Sequence, residues 1–240
     1  MKEKPRVCIY SSIYNDYDSV KEQARQTVPT DYILYTDKPV KSSRWKVVVD
    51  KKEEFKEPFA KAKWWKLHPP KGYEMTIWVD GTVWVFSPDF VENIQKYIGD
   101  YNIMMPPHPA RQCLYDESIA HKMLVPDKFD LSKVSAQEDA YIKEKVPRYI
   151  GLFETFIIVR HGDTKDFDKL WWEENVKWGW TDQISAPYVI WKLSEQGKPQ
   201  KVKFFENHAA YADKRPHNKV YIRKDFEDKI KDNLPQKSEI

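Results

Sequence analysis

Four short polar stretches each follow an apolar run in this sequence: Ser11-Ser12, Thr36-Asp37, Asp80-Gly81-Thr82 and Arg160-His161. Open α/β sheets bind ligands outside the carboxyl ends of their strands, so these are the first places to look for chemistry. Neither G-x-G-x-x-G nor G-x-x-x-x-G-K occurs, and with only 7 glycines the chain has no phosphate-cradling loop of the usual kind. If a nucleotide binds, its diphosphate must be neutralised in another way. A divalent cation on a strand-end carboxylate, helped by nearby Lys or Arg, would do so through hard oxygen ligands. Asp80 suits that role, because the apolar run Thr76-Ile77-Trp78-Val79 fixes its position and Gly81 lets a ligand approach the backbone closely. The plainer alternative is a turn aspartate before a glycine.

The elements that must hold these residues alternate. Residues 7–13 read as a buried strand, followed by an Asn15-Asp16 turn and a helix starting near Asp18. Residues 32–36 and 45–49 are two further short strands separated by Pro39 and a Ser42-Ser43 turn. A helix over 59–67 stops at His68-Pro69-Pro70. Residues 75–80 have the continuous apolarity of a central strand, resumed at 83–86, and Pro88 opens a helix to about 98. Beyond it the pattern predicts strands at 103–105, 155–160 and 202–205 and helices at 135–145, 164–176 and 182–193. The expectation is a single α/β domain over 1–240 with a mostly parallel central sheet flanked by helices, ending in a charged tail from about 228.

Composition narrows the classes. The 40 basic residues nearly cancel the 37 acidic ones and are dispersed, so a nucleic-acid partner is disfavoured. Cys8 and Cys113 form no paired motif, which argues against a disulfide framework and a structural zinc site and for a reducing compartment. The run from Met1 to the first strand lacks a signal-peptide core, and no apolar stretch is long enough to span a membrane, so a cytoplasmic location is expected, as in a bacterial or viral enzyme. The 35 aromatic residues are compatible with sugar-stacking platforms, or simply with core packing.

Seven segments, in order over roughly residues 7–205, resemble the plant and microbial glycosyltransferase-like family typified by the turgor-regulation and seed-mucilage proteins. They are Tyr10-Ser11-Ser12-Ile13-Tyr14-Asn15-Asp16-Tyr17-Asp18, Tyr35-Thr36-Asp37, Ala62-Lys63-Trp64-Trp65-Lys66 and Ile77-Trp78-Val79-Asp80-Gly81-Thr82. His108-Pro109-Ala110-Arg111-Gln112-Cys113-Leu114-Tyr115-Asp116-Glu117, Gly151-Leu152-Phe153-Glu154 and Thr181-Asp182-Gln183-Ile184-Ser185 complete the set.

The resemblance implies a GT-A type, Rossmann-related fold, with a donor part at about 5–105 and an acceptor and catalytic part at about 106–212. It implies Mn²⁺ or Mg²⁺ on an Asp-x-Asp-like motif, here reduced to Asp80-Gly81-Thr82, against a UDP-sugar, with glucose or xylose favoured. His208 is the candidate second metal ligand, or a surface histidine. Lys63 stands where the family has an arginine; it and Lys66 lie on one helix face and could both reach the diphosphate, or be a solvated pair. Ser11, Ser12, Tyr14 and Asp16, with Asp37, would surround the nucleoside, and Arg111 would meet a phosphate or the acceptor; turns are the alternative for Asp16 and Asp37. Transfer needs a carboxylate. Asp182 is the candidate base of an inverting reaction, with Glu154 as its rival; Asp182 also reads as part of a helix cap. His108, Gln183, Trp178 and Trp180, with Trp171 and Trp172, would face a glycan acceptor. A non-catalytic carbohydrate- or nucleotide-sugar-binding module and a nucleotide-sugar hydrolase remain as the other readings.

Overall fold

The computed structural model describes residues 7–204 and the backbone of 212–214. A seven-stranded sheet runs in the order β3-β2-β1-β4-β7-β6-β8. Its strands are β1 (Val7–Ile13), β2 (Thr30–Thr36), β3 (Lys46–Val49), β4 (Met75–Val79), β6 (Ile103–Met105), β7 (Ile157–His161) and β8 (Val202–Phe204). β7 alone runs against its two neighbours, and every other pairing is parallel. The mostly parallel α/β sheet expected from the alternation is the one observed. β5 (Val83–Val85) leaves this sheet and pairs antiparallel with β9 (Ala212–Lys214).

Period-two alternation splits the core. Cys8 and Tyr10 of β1 join the face covered by α1 (Pro58–Leu67), α3 (Leu114–Leu124), α4 (Leu131–Lys143), α5 (Lys165–Trp178) and α6 (Asp182–Glu195). Val7, Ile9 and Ile13 join the face covered by α2 (Phe90–Ile98), whose Phe90, Val91, Ile94 and Ile98 are buried.

The helix expected near Asp18 does not form. Asn15 and Asp16 both adopt positive φ, 53° and 52°, and the following chain runs extended beside β5. Its polar groups are spent there: Ala24 N donates to Val85 O at 2.9 Å and Thr27 N to Pro88 O at 2.8 Å. Gln23 acts as a strand residue through its side chain, its Nε2 donating to Val83 O at 3.2 Å while Val85 N donates to its Oε1 at 2.5 Å. Gln23→Leu should therefore cost about 1–3 kcal/mol, since two buried backbone groups lose their partner; urea titration against wild type checks this.

Polarity decides where the chemistry can be. The parallel strands β1, β2 and β4 end on one edge, and β7 enters the sheet from that edge, with Ile157 paired to Val79 and Asp80 N donating to Phe156 O at 2.8 Å. The residue after β4 and those before β7 thus share one edge.

Candidate functional site: a lysine between two aspartates

The last turn of α1 is docked over β1. Tyr10 Oη donates to Lys66 O at 3.2 Å, Arg160 Nη2 donates to the same carbonyl at 2.8 Å, and Ser12 Oγ donates to Ala62 O at 3.4 Å. This directs Lys66 to the carboxyl edge of the sheet. There its Nζ donates to Asp182 Oδ2 at 2.8 Å, to Thr155 Oγ1 at 3.1 Å and to Asp80 Oδ1 at 3.3 Å. Lys63, one turn earlier, lies 2.9 Å from the same Asp182 Oδ2. Thr155 Oγ1 donates to that oxygen at 3.0 Å, and Trp78 Nε1 to Asp80 Oδ1 at 2.6 Å. Side-chain exposure grades from 5% at Lys66 to 15% at Asp182, 17% at Lys63 and 35% at Asp80, so Lys66 is the floor and Asp80 the open side.

Asp182 is fixed by its neighbours. It opens α6, where the helix dipole favours a carboxylate. Trp171 Nε1 donates to Asp182 O at 3.2 Å and to Ser185 Oγ at 3.0 Å. Thr181, wholly buried, donates to Gln137 Oε1 at 2.6 Å rather than capping the helix; Gln137 in turn holds Tyr141 Oη, which donates to Glu174 Oε2. Burial alone would raise the Asp182 pKa, but Lys63 and Lys66 hold it well below the usual carboxylate range. Burial pulls the Lys63 ammonium down to about 8, which Asp182 only partly offsets. Lys66 is more deeply buried still, which alone would lower its pKa, yet Asp182 and Asp80 together push it up.

A second group of residues lies at the ends of β1 and β2. Asp37 Oδ2 accepts from Asn15 N at 2.9 Å, while its Oδ1 is buried without a hydrogen-bond partner among the described residues. Tyr14 Oη donates to Asp50 O and accepts from Trp65 Nε1, both at 2.9 Å, and Trp65 stacks on Tyr35 with centroids 3.5 Å apart. Asp16 pairs with Lys38 on the exposed rim. Ser11 departs from the expectation: by alternation it points with Ile9 and Ile13 into the core under α2, away from Ser12 and the site. The space expected beside Gly81 is also filled. A Cβ there would meet Asp18 Oδ2 at 3.0 Å and Ile13 Cγ1 at 3.1 Å, and Lys21 Nζ donates to Gly81 O at 2.8 Å.

The expected acceptor residues divide. Trp171 is fully buried and serves Asp182 from below instead of offering a platform. Trp178 donates through Nε1 to Glu174 Oε2 at 2.7 Å and carries Lys177 over its ring. Trp180 has a φ of +77°, an uncommon backbone state for a bulky residue, and sits between Trp172 at 5.3 Å and Phe59 at 6.0 Å. Gln183 is half-buried in the first turn of α6, and Glu154 precedes Thr155 with its N–H on Pro106 O at 2.9 Å. His108 and Arg111 instead gather on the buried Glu117, with His121 at 3.1 Å from the other carboxylate oxygen. Hydrogen bonds from His121 and Arg111 outweigh burial there and bring the Glu117 pKa to about 2.

The family model of the TOD1/MUCI70 glycosyltransferase-like domain matches residues 1–214. This chain belongs to that family. No curated protein matches it significantly. Among solved structures, a mannosyltransferase from Pyrobaculum calidifontis in complex with GDP-Man and Mn²⁺ is 14% identical, covers 85% of this chain and has a TM-score of 0.38. Mouse xyloside xylosyltransferase 1 is 7% identical with a TM-score of 0.42, over 84% of this chain and 85% of its own. The S. cerevisiae mannosyltransferase Ktr4p is 8% identical with a TM-score of 0.41, over 89% of this chain and 71% of its own. This chain spans 57% of the length of the Pyrobaculum mannosyltransferase.

In this TOD1/MUCI70 domain two residues that carry no site signal in the sequence, and one of the four strand-end positions in a different role from the one expected, shape the centre. Thr155 and Trp78 fix the two carboxylates, and Arg160, which the reading placed at a strand end, fixes Lys66 from beneath. Thr155 carried no signal, because only the antiparallel entry of β7 brings it to this edge. No described helix is long and apolar enough to cross a membrane.

The donors for a divalent ion are sparse. Among the described residues no three His, Cys, Asp or Glu side chains converge on a point that could hold a metal. His208 lies outside the described residues. Asp80 Oδ1 is already occupied by an indole N–H and an ammonium. The described side chains by themselves do not fit a bound Mn²⁺ or Mg²⁺, each of which needs several oxygen or imidazole ligands.

Proposed function

We propose that this sugar transferase moves a glycosyl unit from a UDP-sugar to a hydroxyl of a glycan or glycoconjugate with inversion, using Asp182 as the base. The observation that carries the reading is the convergence of Lys63, Lys66, Asp80 and Asp182 at the carboxyl edge of the sheet. Every hydrogen bond and ion pair that the Asp182 carboxylate makes with described residues falls on Oδ2, so Oδ1 is the oxygen left to meet an acceptor. In the step itself Asp182 takes the hydroxyl proton as the acceptor oxygen bonds to the anomeric carbon. The bond from that carbon to the phosphate oxygen breaks, and its electron pair leaves with the diphosphate.

Asp182 held by two ammonium groups is a weak base. An arriving diphosphate competes for the same ammoniums, and as they turn to it the carboxylate regains basicity. The orphaned Asp37 Oδ1 suits the imide N–H of uracil or a ribose hydroxyl, since a carboxylate only accepts. Trp180, flanked by Phe59 and Trp172, is the acceptor platform, with Gln183 beside it; Glu154 is the rival base. The step needs no Mn²⁺ or Mg²⁺ on Asp80, whose Oδ1 already accepts from the Trp78 indole and the Lys66 ammonium.

Calorimetry with a panel of UDP- and GDP-sugars, followed by a search for slow donor hydrolysis, tests the reading. Binding of a UDP-sugar with turnover supports it. Binding with no turnover for any donor or acceptor moves the assignment to a binding module, and no nucleotide binding at all removes it.

Lys63 predicts the pH profile of the free protein. Its ammonium faces Asp182, Lys66 and Asp80, and it loses its proton near pH 8. UDP affinity should therefore fall above that pH by up to about tenfold per unit, one proton being linked to binding. Lys63→Arg, which stays charged, should flatten the profile; titrations at a series of pH values decide.

A further inference from the structure

We infer that Lys66, seconded by Lys63, is the cation that meets the donor diphosphate in this protein, in the position a divalent metal would otherwise take. The inference rests on the nucleotide-sugar reading above and concerns how that site handles charge. Its first ground is occupancy: an ammonium has three protons, and Lys66 directs them at Asp182 Oδ2, Thr155 Oγ1 and Asp80 Oδ1. An ion on Asp80 would share its ligand with a buried positive charge, and like charges in such a site repel strongly.

The second ground is rigidity. The Lys66 carbonyl is held by Arg160 Nη2 and Tyr10 Oη, so the ammonium cannot be carried away by a shift of the α1 backbone without breaking a buried network. Only the side chain can move, and its reach ends in this cleft. The third ground is the surrounding charge. Lys63 shares the Asp182 oxygen, and Lys21 Nζ sits on Gly81 O, the residue next to Asp80, so ammonium groups border the centre on two sides. Among the described residues no three acidic, cysteine or imidazole side chains come together in a set that could hold an ion. A diphosphate that reaches the floor of the cleft can form charge-assisted hydrogen bonds with these ammonium groups through its phosphate oxygens.

The test titrates UDP and GDP into the full chain in the presence of EDTA and again with excess Mn²⁺. Free Mn²⁺ is followed by electron paramagnetic resonance with the protein alone. The expected result is binding of one nucleotide in EDTA, changed by no more than about threefold on adding Mn²⁺, with the free Mn²⁺ signal unaffected by the protein. Lys66→Met should weaken binding in EDTA by about tenfold or more, and Mn²⁺ should recover part of that loss because Asp80 is then free of its ammonium. Circular dichroism and the thermal midpoint establish that the variant is folded, and the wild-type comparison stands without it. Binding by the wild type only when Mn²⁺ is present overturns the inference and leaves the nucleotide site intact. So does binding in EDTA that a folded Lys66→Met does not weaken. Binding of neither nucleotide under either condition removes the nucleotide-sugar reading and this inference with it.

Discussion

Asp182→Asn should abolish most sugar transfer, by about 10²–10⁴-fold in kcat, while UDP binds more tightly than to the wild type. The two effects have one origin. Lys63 and Lys66 both direct their ammonium groups at Asp182 Oδ2 in the resting protein, so the aspartate competes with the diphosphate for them. An amide of the same shape keeps the hydrogen bonds from Thr155 and the lysines but removes the negative charge, freeing both cations for the ligand. It also has no basicity with which to take the acceptor proton. A merely structural Asp182 gives the opposite pattern, since loosening the turn that carries it weakens binding along with turnover. Calorimetry and product formation measured on the same preparation separate the two. Glu154→Gln is the companion experiment: if it, and not Asp182→Asn, removes turnover with binding retained, the base has been assigned to the wrong carboxylate.

Much of this arrangement can be read from the chain, and the failures have physical causes. Continuous apolar runs mark β1, β4 and β7 because those strands are buried on both faces, and Asp80 stands out because it ends one of them. The i, i+3 spacing of Lys63 and Lys66 is legible as a shared helix face, which Asp182 confirms by touching both. α3 was not legible, because its periodicity is inverted. Glu117, Ser118 and His121 face inward in a polar cluster, while Ile119, Met123 and Leu124 are exposed. A rule that places apolar residues inside finds no helix there. The extended path after Asp16 was missed for a related reason: Gln23 and Gln26 take over backbone hydrogen bonds through their amides, a tertiary solution that no local propensity encodes. Trp171 shows the limit of reading aromatics as sugar platforms, since its indole is buried beneath Asp182 and works as a hydrogen-bond donor.

The largest expected stability effect lies one layer below the site. Arg160, on the strand that runs against the rest of the sheet, is 2% exposed and spends its guanidinium on three partners. Nε donates to Asp168 Oδ1 at 2.7 Å, Nη1 to Tyr10 Oη at 3.0 Å and Nη2 to Lys66 O at 2.8 Å, while Thr164 Oγ1 donates to the other Asp168 oxygen at 2.8 Å. Arg160→Met keeps most of the volume but leaves the Asp168 carboxylate buried without its counter-charge, a change that costs about 3–5 kcal/mol. Urea unfolding monitored by tryptophan fluorescence measures it. Adding Asp168→Leu should recover a large part of the loss, because the penalty comes chiefly from the stranded charge and not from the absent ion pair. Nucleotide affinity should behave differently. With Arg160 gone, the Lys66 carbonyl loses its strongest donor and the last turn of α1 its anchor to β7, so UDP binding should stay weakened in the double variant even where stability has returned. Recovery of both quantities together would place Arg160 in the scaffold alone. Recovery of stability without affinity makes the buried arginine the residue that aims Lys66 at the substrate.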